Sequence, residues 1–254
     1  MPRLDSNARF REAIQPLCRL SYGEVWEDPS GMHRVGVLDA TNPREVDLLM
    51  GREKAILHVD DPPYNIAVGN KTTDALFRKD NNAYISFSRG WISEAVRTLA
   101  NPGHLYVFLG ADQDQGFQPL PEFMLMMREF GELSSRSFIT LRNQRGYGTQ
   151  KNWMAVRQEL LYYIKGNPPF TVQYTDIPKI LKGYYKVVSG RRVENSERGL
   201  GKTIRPGNVW VDIQQVFYRM EENVPGCYAQ KPLKAIERII RASTHQGDSV
   251  ADFF

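Results

Sequence analysis

The sequence predicts an α/β fold with a mostly parallel sheet and helices on both faces. Two observations carry this. From Val35 onward, short apolar runs alternate with stretches of helical periodicity, and strands that alternate with helices pair in parallel beneath covering helices. Composition suits a packed core: of 254 residues, 41% are hydrophobic and 24% charged, close to ordinary globular usage.

Ala55–Asp60 is an apolar run that ends in acid and proline, which suits a buried strand. Residues 84–100 read as a helix, with Ile85, Ile92, Val96 and Leu99 near one face and Asn101-Pro102-Gly103 as its stop. Residues 104–109 form the next strand. Residues 121–130 read as a helix ended by Gly131, and 137–141 and 159–164 as further strands. Residues 231–243 make an amphipathic helix with Leu233, Ile236, Ile239 and Ile240 inward, and 248–254 begin another strand. These elements divide the chain into an N-terminal extension (1–34), a catalytic α/β region (35–167), an inserted segment (168–207) and a return to the α/β core (208–254).

The composition excludes several classes. Disorder throughout is excluded by the apolar content. No run approaches the ~18 apolar residues of a membrane span, and the polar N-terminus does not read as a signal peptide. Cys18 and Cys227 are too few for a disulfide framework, and with four scattered histidines they make no metal site. The expectation is a cytoplasmic protein without a membrane partner. A formal charge of +4 permits a polyanionic partner without demanding one.

The inserted segment breaks the strand–helix rhythm. It carries Lys179, Lys182, Lys186, Arg191, Arg192, Arg198, Lys202 and Arg205, with Tyr174, Tyr184 and Tyr185 interleaved. It is a candidate nucleic-acid recognition element, with Lys182, Lys186, Arg191, Arg192, Arg198, Lys202 and Arg205 as candidate contacts. Taken alone, it reads equally well as a long solvated basic loop.

Chemistry is expected after the first strand. Asp61-Pro62-Pro63-Tyr64-Asn65 follows it directly, and ligands of open α/β sheets bind beyond the carboxyl ends of strands. Consecutive prolines fix φ and remove two N–H donors. The Asp61 carboxylate and a neighbouring carbonyl then offer acceptors to one small group, for which an exocyclic amino group is the natural guest. Tyr64 adds a flat surface on which a base can stack. Without further context, the run is only a turn after a strand. Asn65 is read as a brace for the loop, and His58 as a strand side chain.

Context comes from three segments in order. Asp61-Pro62-Pro63-Tyr64 resembles the catalytic motif of the amino-group DNA methyltransferases. Residues 228–232, Tyr-Ala-Gln-Lys-Pro, resemble that family's Thr-Gln-Lys-Pro element. Residues 247–254, Gly-Asp-Ser-Val-Ala-Asp-Phe-Phe, resemble the start of its cofactor motif. Catalytic motif first and cofactor motif last is the permuted order of the β group. Residues 36–39, Gly-Val-Leu-Asp, resemble a short cofactor-holding element.

The resemblance implies a Rossmann-like, S-adenosylmethionine-dependent methyltransferase fold. It implies methyl transfer to the N6 amino group of a flipped-out adenine in double-stranded DNA. Asp61, Pro62, Pro63 and Tyr64 are the implied catalytic residues, and Asp39, Lys231, Pro232, Asp252 and Phe253 the implied cofactor-side residues. Asp at position 61 points to adenine over cytosine N4, and away from the protein-glutamine enzymes with Asn-Pro-Pro-Tyr. The alternatives are a cytosine-N4 enzyme, transfer to RNA, or a catalytically incomplete DNA-binding subunit. After Phe253-Phe254 the family continues with a glycine-rich turn that this sequence lacks. The expectation is therefore a cofactor site cut within its motif, either in a truncated gene product or in one that a second chain completes, with a homodimer partner as a further alternative, and weak or absent S-adenosylmethionine binding by this chain alone.

Overall fold

The computed structural model describes residues 20–65, 80–112, 115–147, 153, 155–178, 185–194, 203–217, 219–224, 227 and 230–254. Strand β1 (Val25–Glu27) and β2 (Arg34–Gly36) form an antiparallel hairpin that alternation from Val35 onward does not foretell. The Asp28 carboxylate shapes its turn by accepting from the Met32 and His33 N–H groups at 2.8 and 3.0 Å. Helix α1 (Pro43–Met50) follows, with Asn42 as its cap: the side chain accepts from the Arg44 N–H. Proline at the first position suits a helix start, where no N–H is needed.

The central sheet joins β3 (Ala55–Asp60), β4 (Leu99–Leu109), β5 (Leu133–Tyr147), β6 (Ala155–Lys165), β9 (Val209–Trp210) and β10 (Val250–Ala251). Its order is β10-β3-β4-β6-β5-β9. The pairs β10/β3, β3/β4 and β5/β9 are parallel. Strand β6 runs antiparallel to β4 and β5, because the short link from β5 to β6 cannot make the crossover that parallel strands need. A separate hairpin, β7 (Tyr185–Val188) and β8 (Arg191–Glu194), lies within the basic segment.

Helices cover both faces. Helix α2 (Asn81–Thr98) is capped by Asp80, whose carboxylate accepts from the Ala83 N–H. It buries Tyr84, Ser88, Trp91, Ile92, Ala95 and Val96, a stripe at helical spacing. With α3 (Leu120–Met126) and the 3₁₀ turn Met127–Glu129, it packs on Leu105, Val107 and Leu109 of β4. The other face of the same strands shows Leu57, Val59, Tyr106 and Phe108 to α4 (Leu233–Ser243). Alternating directions along a strand produce this division, and each large apolar side chain so buried contributes about 1.5–3 kcal/mol.

Some sequence expectations shift. Helix α2 stops at Thr98, and Asn101-Pro102-Gly103 lies inside β4. Leu99 is buried and already paired with Ala55, so the sheet ladder takes over before the Asn-Pro-Gly stop. Helix α4 starts at Leu233, leaving Lys231 and Pro232 as an extended lead-in. Its buried stripe is Ala235, Arg238, Ile239 and Ala242, whereas Leu233 is exposed. Arg238 goes inward because the buried Asp212 awaits it, bonded to Arg238 Nη1 at 3.1 Å. No helix among the described residues is long and apolar enough to cross a membrane.

Candidate active site

Strand β3 delivers two consecutive carboxylates at its C-terminal end. Asp60 is fully buried, and Asp61 begins the loop. The loop is held from several sides. Tyr64 Oη donates to Asp61 Oδ1 at 2.8 Å and accepts from Gln158 Nε2 of β6 at 2.8 Å. Tyr84 Oη of α2 donates to the Pro63 carbonyl at 2.7 Å. Among the described residues, no group donates to the Pro62 carbonyl. Asn65 takes φ +56°, a left-handed conformation that asparagine tolerates better than most residues. Burial first, and then the Asp61 carboxylate, push the Tyr64 phenol far above its ordinary pKa. It therefore stays a neutral donor to Asp61.

Lys231 completes the cluster. Its Nζ lies 2.5 Å from Asp61 Oδ2, and 5.3 Å from the ring centroids of both Tyr64 and Phe108. Pro232 sits in extended conformation at φ −61°, ψ 131°. Proline also disfavours helix at the residue before it, so Lys231 leaves the α4 axis and reaches the loop.

Strand β10 brings the chain end to the same place. The Phe253 N–H donates to Asp60 Oδ1 at 3.0 Å, and the His58 ring meets the Phe253 ring edge-on at 4.8 Å. Asp60 Oδ2 faces His58 Nδ1 at 3.6 Å, and neither atom has a hydrogen-bond partner among the described residues. Asp252 is exposed. Crowding by protein, and then repulsion from Asp60 and Asp61, nevertheless push its carboxyl up to about 7; the Phe254 N–H and the Lys231 charge act in the opposite sense.

Asp61, Pro62, Pro63, Tyr64, Lys231, Pro232, Asp252 and Phe253 therefore gather at the carboxyl ends of β3 and β10. Asp39 makes a different set of contacts. Its Oδ1 accepts from the Thr41 N–H and hydroxyl at 2.8 and 2.7 Å, in the turn before α1. Of the basic candidates, Arg191 and Arg192 are exposed on β8 and Lys186 is on β7. Arg205 lines a separate cavity of about 420 Å³ with Tyr106, Tyr162, Phe170 and Trp210. Lys182, Arg198 and Lys202 lie outside the described residues, as do Lys179 and Tyr184. Among the described residues, no group of histidine, cysteine and carboxylate side chains could hold a metal ion.

Sequence reading passed over Gln158, Tyr84, Asp60 and His58 as parts of this site. The doubled acid at 60–61 was a usable sign, since a second carboxylate at a strand end must find a partner. Gln158 lies 94 residues from Tyr64, and no local pattern marks it.

The residues present fit a cationic cofactor. Asp60, Asp61 and Asp252 are close enough for the first two to raise the pKa of the third, and such a cluster favours an added positive charge. A sulfonium bearing an amino acid and ribose hydroxyls meets that requirement.

Residues 56–254 match the N6/N4 family described as DNA methylase. The type II methyltransferase M.HpaI of Haemophilus parainfluenzae is 29% identical over 201 residues, covering 78% of this chain and 56% of its own length. The DNA adenine methyltransferase YhdJ of Escherichia coli (strain K12) is 28% identical over 198 residues, covering 76% of this chain and 62% of its own length. The chain thus spans a little over half the length of these two relatives. Among solved structures, the cytosine-N4-specific PvuII DNA methyltransferase superposes with a TM-score of 0.51 at 14% identity, over 80% of this chain and 70% of that one. At that identity the likeness concerns the fold alone.

Proposed function

This chain belongs to the N6/N4 DNA methylase family, and we propose that it transfers a methyl group from S-adenosylmethionine to an exocyclic amino group in double-stranded DNA, with adenine N6 as acceptor. The observation that carries this reading is the end of β3. An Asp61 carboxylate fixed by Tyr64 and Lys231 stands next to a Pro62 carbonyl that has no donor among the described residues. An amino group offers two N–H donors to those two acceptors.

When bound, S-adenosylmethionine would supply the electrophilic methyl on its sulfonium, the S–CH3 bond breaking to leave neutral S-adenosylhomocysteine. We assign Asp252 and Phe253 to hold it, with Lys231 and Pro232 beside them, and retain Asp39 as a more distant candidate. Everything else falls to the chain's own residues. The amino nitrogen of adenine is a poor nucleophile because its lone pair is shared with the ring. Hydrogen bonds to Asp61 and to the Pro62 carbonyl draw its two protons to one side and favour tetrahedral geometry. Asp61 offsets the positive charge that grows on nitrogen, and the surplus proton leaves along the bond to Asp61. The base must leave the duplex to arrive here, and the Tyr64 ring offers it a stacking surface. The basic segment with Arg191, Arg192 and Arg205 is the proposed contact to DNA phosphates.

The test is transfer of labelled methyl to mixed-sequence duplex DNA, followed by digestion to nucleosides. Label in N6-methyl-2′-deoxyadenosine, lost in Asp61→Ala, supports the reading. Label in N4-methyl-2′-deoxycytidine corrects the acceptor. DNA binding without label, in wild type and variant alike, replaces the enzyme with a DNA-binding subunit.

A further inference from the structure

We infer that Lys231 is a positioning residue for the Asp61 carboxylate, clamping it in the orientation that receives the target amino group. This rests on the methyl-transfer reading and deepens it. The resemblance places Lys231 only on the cofactor side, whereas its 2.5 Å contact with Asp61 belongs to the target side.

The geometry is that of a built clamp. Asp61 is gripped at both oxygens: Oδ1 by the Tyr64 hydroxyl at 2.8 Å, and Oδ2 by the Lys231 ammonium at 2.5 Å. A carboxylate held at both ends cannot turn about its last torsion, yet each oxygen keeps a lone pair for a further donor. Both grips are themselves fixed. Gln158 anchors Tyr64. The Lys231 side chain is only 9% exposed and lies against the Tyr64 and Phe108 rings.

The backbone around Lys231 is pinned as well. Gln230 accepts from the Val224 N–H at 2.8 Å and donates to the Glu222 carbonyl at 2.7 Å. The Leu233 N–H donates to Glu222 Oε2 at 2.8 Å. Pro232 restricts the link between these anchors.

A cation suits this point. Asp60, the last residue of β3, precedes Asp61, and Asp252, just past β10, feels both their charges and the opposing charge of Lys231. Without Lys231, the Asp61 carboxylate would turn away from its neighbours and toward water, because like charges at such range repel. One ammonium thus both orients the acceptor and offsets repulsion within the cluster.

The experiment compares Lys231→Met and Lys231→Arg with the wild-type protein. Methionine keeps the stem and removes the charge; arginine keeps the charge. The expected result for Lys231→Met is a fall in kcat of about 100-fold, the scale of a misplaced reacting group. Its KM for DNA and its S-adenosylmethionine Kd stay within about threefold of wild type, while Lys231→Arg recovers at least about tenfold of the loss. An unchanged kcat overturns the inference, as does cofactor affinity lost while kcat holds, which returns Lys231 to the cofactor side. Faster turnover in Lys231→Met also overturns it, showing that the lysine blocks the acceptor.

A crystal structure of Lys231→Met supplies a readout that needs no turnover. An Asp61 carboxylate swung off the Tyr64 hydroxyl supports the clamp, and one left in place overturns it. If wild-type protein transfers no methyl group, the functional reading fails, while this structural comparison still decides the clamp.

Discussion

The Phe253 N–H donates to Asp60 Oδ1 at 3.0 Å although 193 residues separate the two in the chain. The bond ties the segment proposed for the cofactor to the strand that carries the acceptor for the target amino group. Its acceptor is fully buried beside His58, while Phe253 is half-buried, so an unmet donor there is costly to the extent that water cannot reach it.

Asp60→Ala removes the acceptor and leaves the Phe253 N–H unsatisfied. The expected loss of stability is about 1–3 kcal/mol, measured by urea unfolding. Asp60→Asn keeps an acceptor oxygen and turns an amide toward His58 Nδ1, so it loses less. Equal losses in the two variants would show that the hydrogen bond is not the reason for Asp60.

Gly110→Ala tests the support of the loop from β4. A Cβ at Gly110 stands 2.8 Å from Tyr64 Cδ2, and the Tyr64 hydroxyl is already committed to Asp61 and Gln158. The ring cannot retreat without breaking those bonds. Methyl transfer is expected to fall about tenfold or more, with stability down about 1–3 kcal/mol. An Ala variant with wild-type rate would mean that the Tyr64 position is unimportant to the chemistry.

Asp252 gives a pH dependence. Its folded pKa of about 7 lies above the ordinary value of 3.8, so the folded chain binds a proton there that the unfolded chain has released. The stability this contributes is present below the ordinary value and declines as pH rises through about 7. Cofactor affinity should run the opposite way, rising with pH toward a plateau above about 7, if the carboxylate form holds the cationic ligand. Calorimetric titration with S-adenosylmethionine across pH 5.5–8.5, roughly the window set by that linkage, provides the check. The slope disappears in Asp252→Asn, and a slope retained there would assign it to another group.

Arg238 and Asp212 form a buried ion pair, with side chains 7% and 6% exposed. Burial alone would raise the Asp212 pKa. The bonded Arg238 guanidinium outweighs it and holds the carboxyl below its usual range, with help from Lys234. Arg238→Met leaves Lys234, 3.6 Å from Asp212 Oδ2, as the remaining cation beside the carboxylate, and is expected to cost about 1–3 kcal/mol, read by denaturant midpoint. The wild-type contribution is present above the ordinary carboxylate range and is lost as pH falls through the lowered pKa. Arg238→Met with an unchanged midpoint would remove the pair from the account of stability.

Arg205 tests the proposed DNA surface. It is exposed on the segment that leads into β9. If it meets a phosphate, Arg205→Ala lowers the slope of log affinity against log salt by about 0.9. An unchanged slope would assign Arg205 to the neighbouring cavity alone.

Much of the local organisation is legible in the sequence. Ala55–Asp60 reads as a strand because its apolar run ends in acid and proline, and α2 because Ile92 and Val96 recur at helical spacing. Boundaries are less legible. The Asn101-Pro102-Gly103 stop is overruled because Leu99 gains more from the ladder with Ala55 than from another helical turn. The reversed direction of β6 is hidden because an apolar run has no direction; only the pairing of β6 with β4 and β5 supplies one.

The sequence by itself determined the acceptor loop. Asp61, two prolines and Tyr64 are contiguous, and proline acts through its own covalent ring wherever the chain places it. Tertiary structure decided which charges meet. Lys231 reaches Asp61 across 170 residues, Phe253 reaches Asp60 across 193, and Gln158 reaches Tyr64 across 94. Hydrogen bonds and ion pairs act over a few ångströms of space, and separation along the chain carries no information about that distance until the sheet has brought the ends of β3, β4, β6 and β10 together.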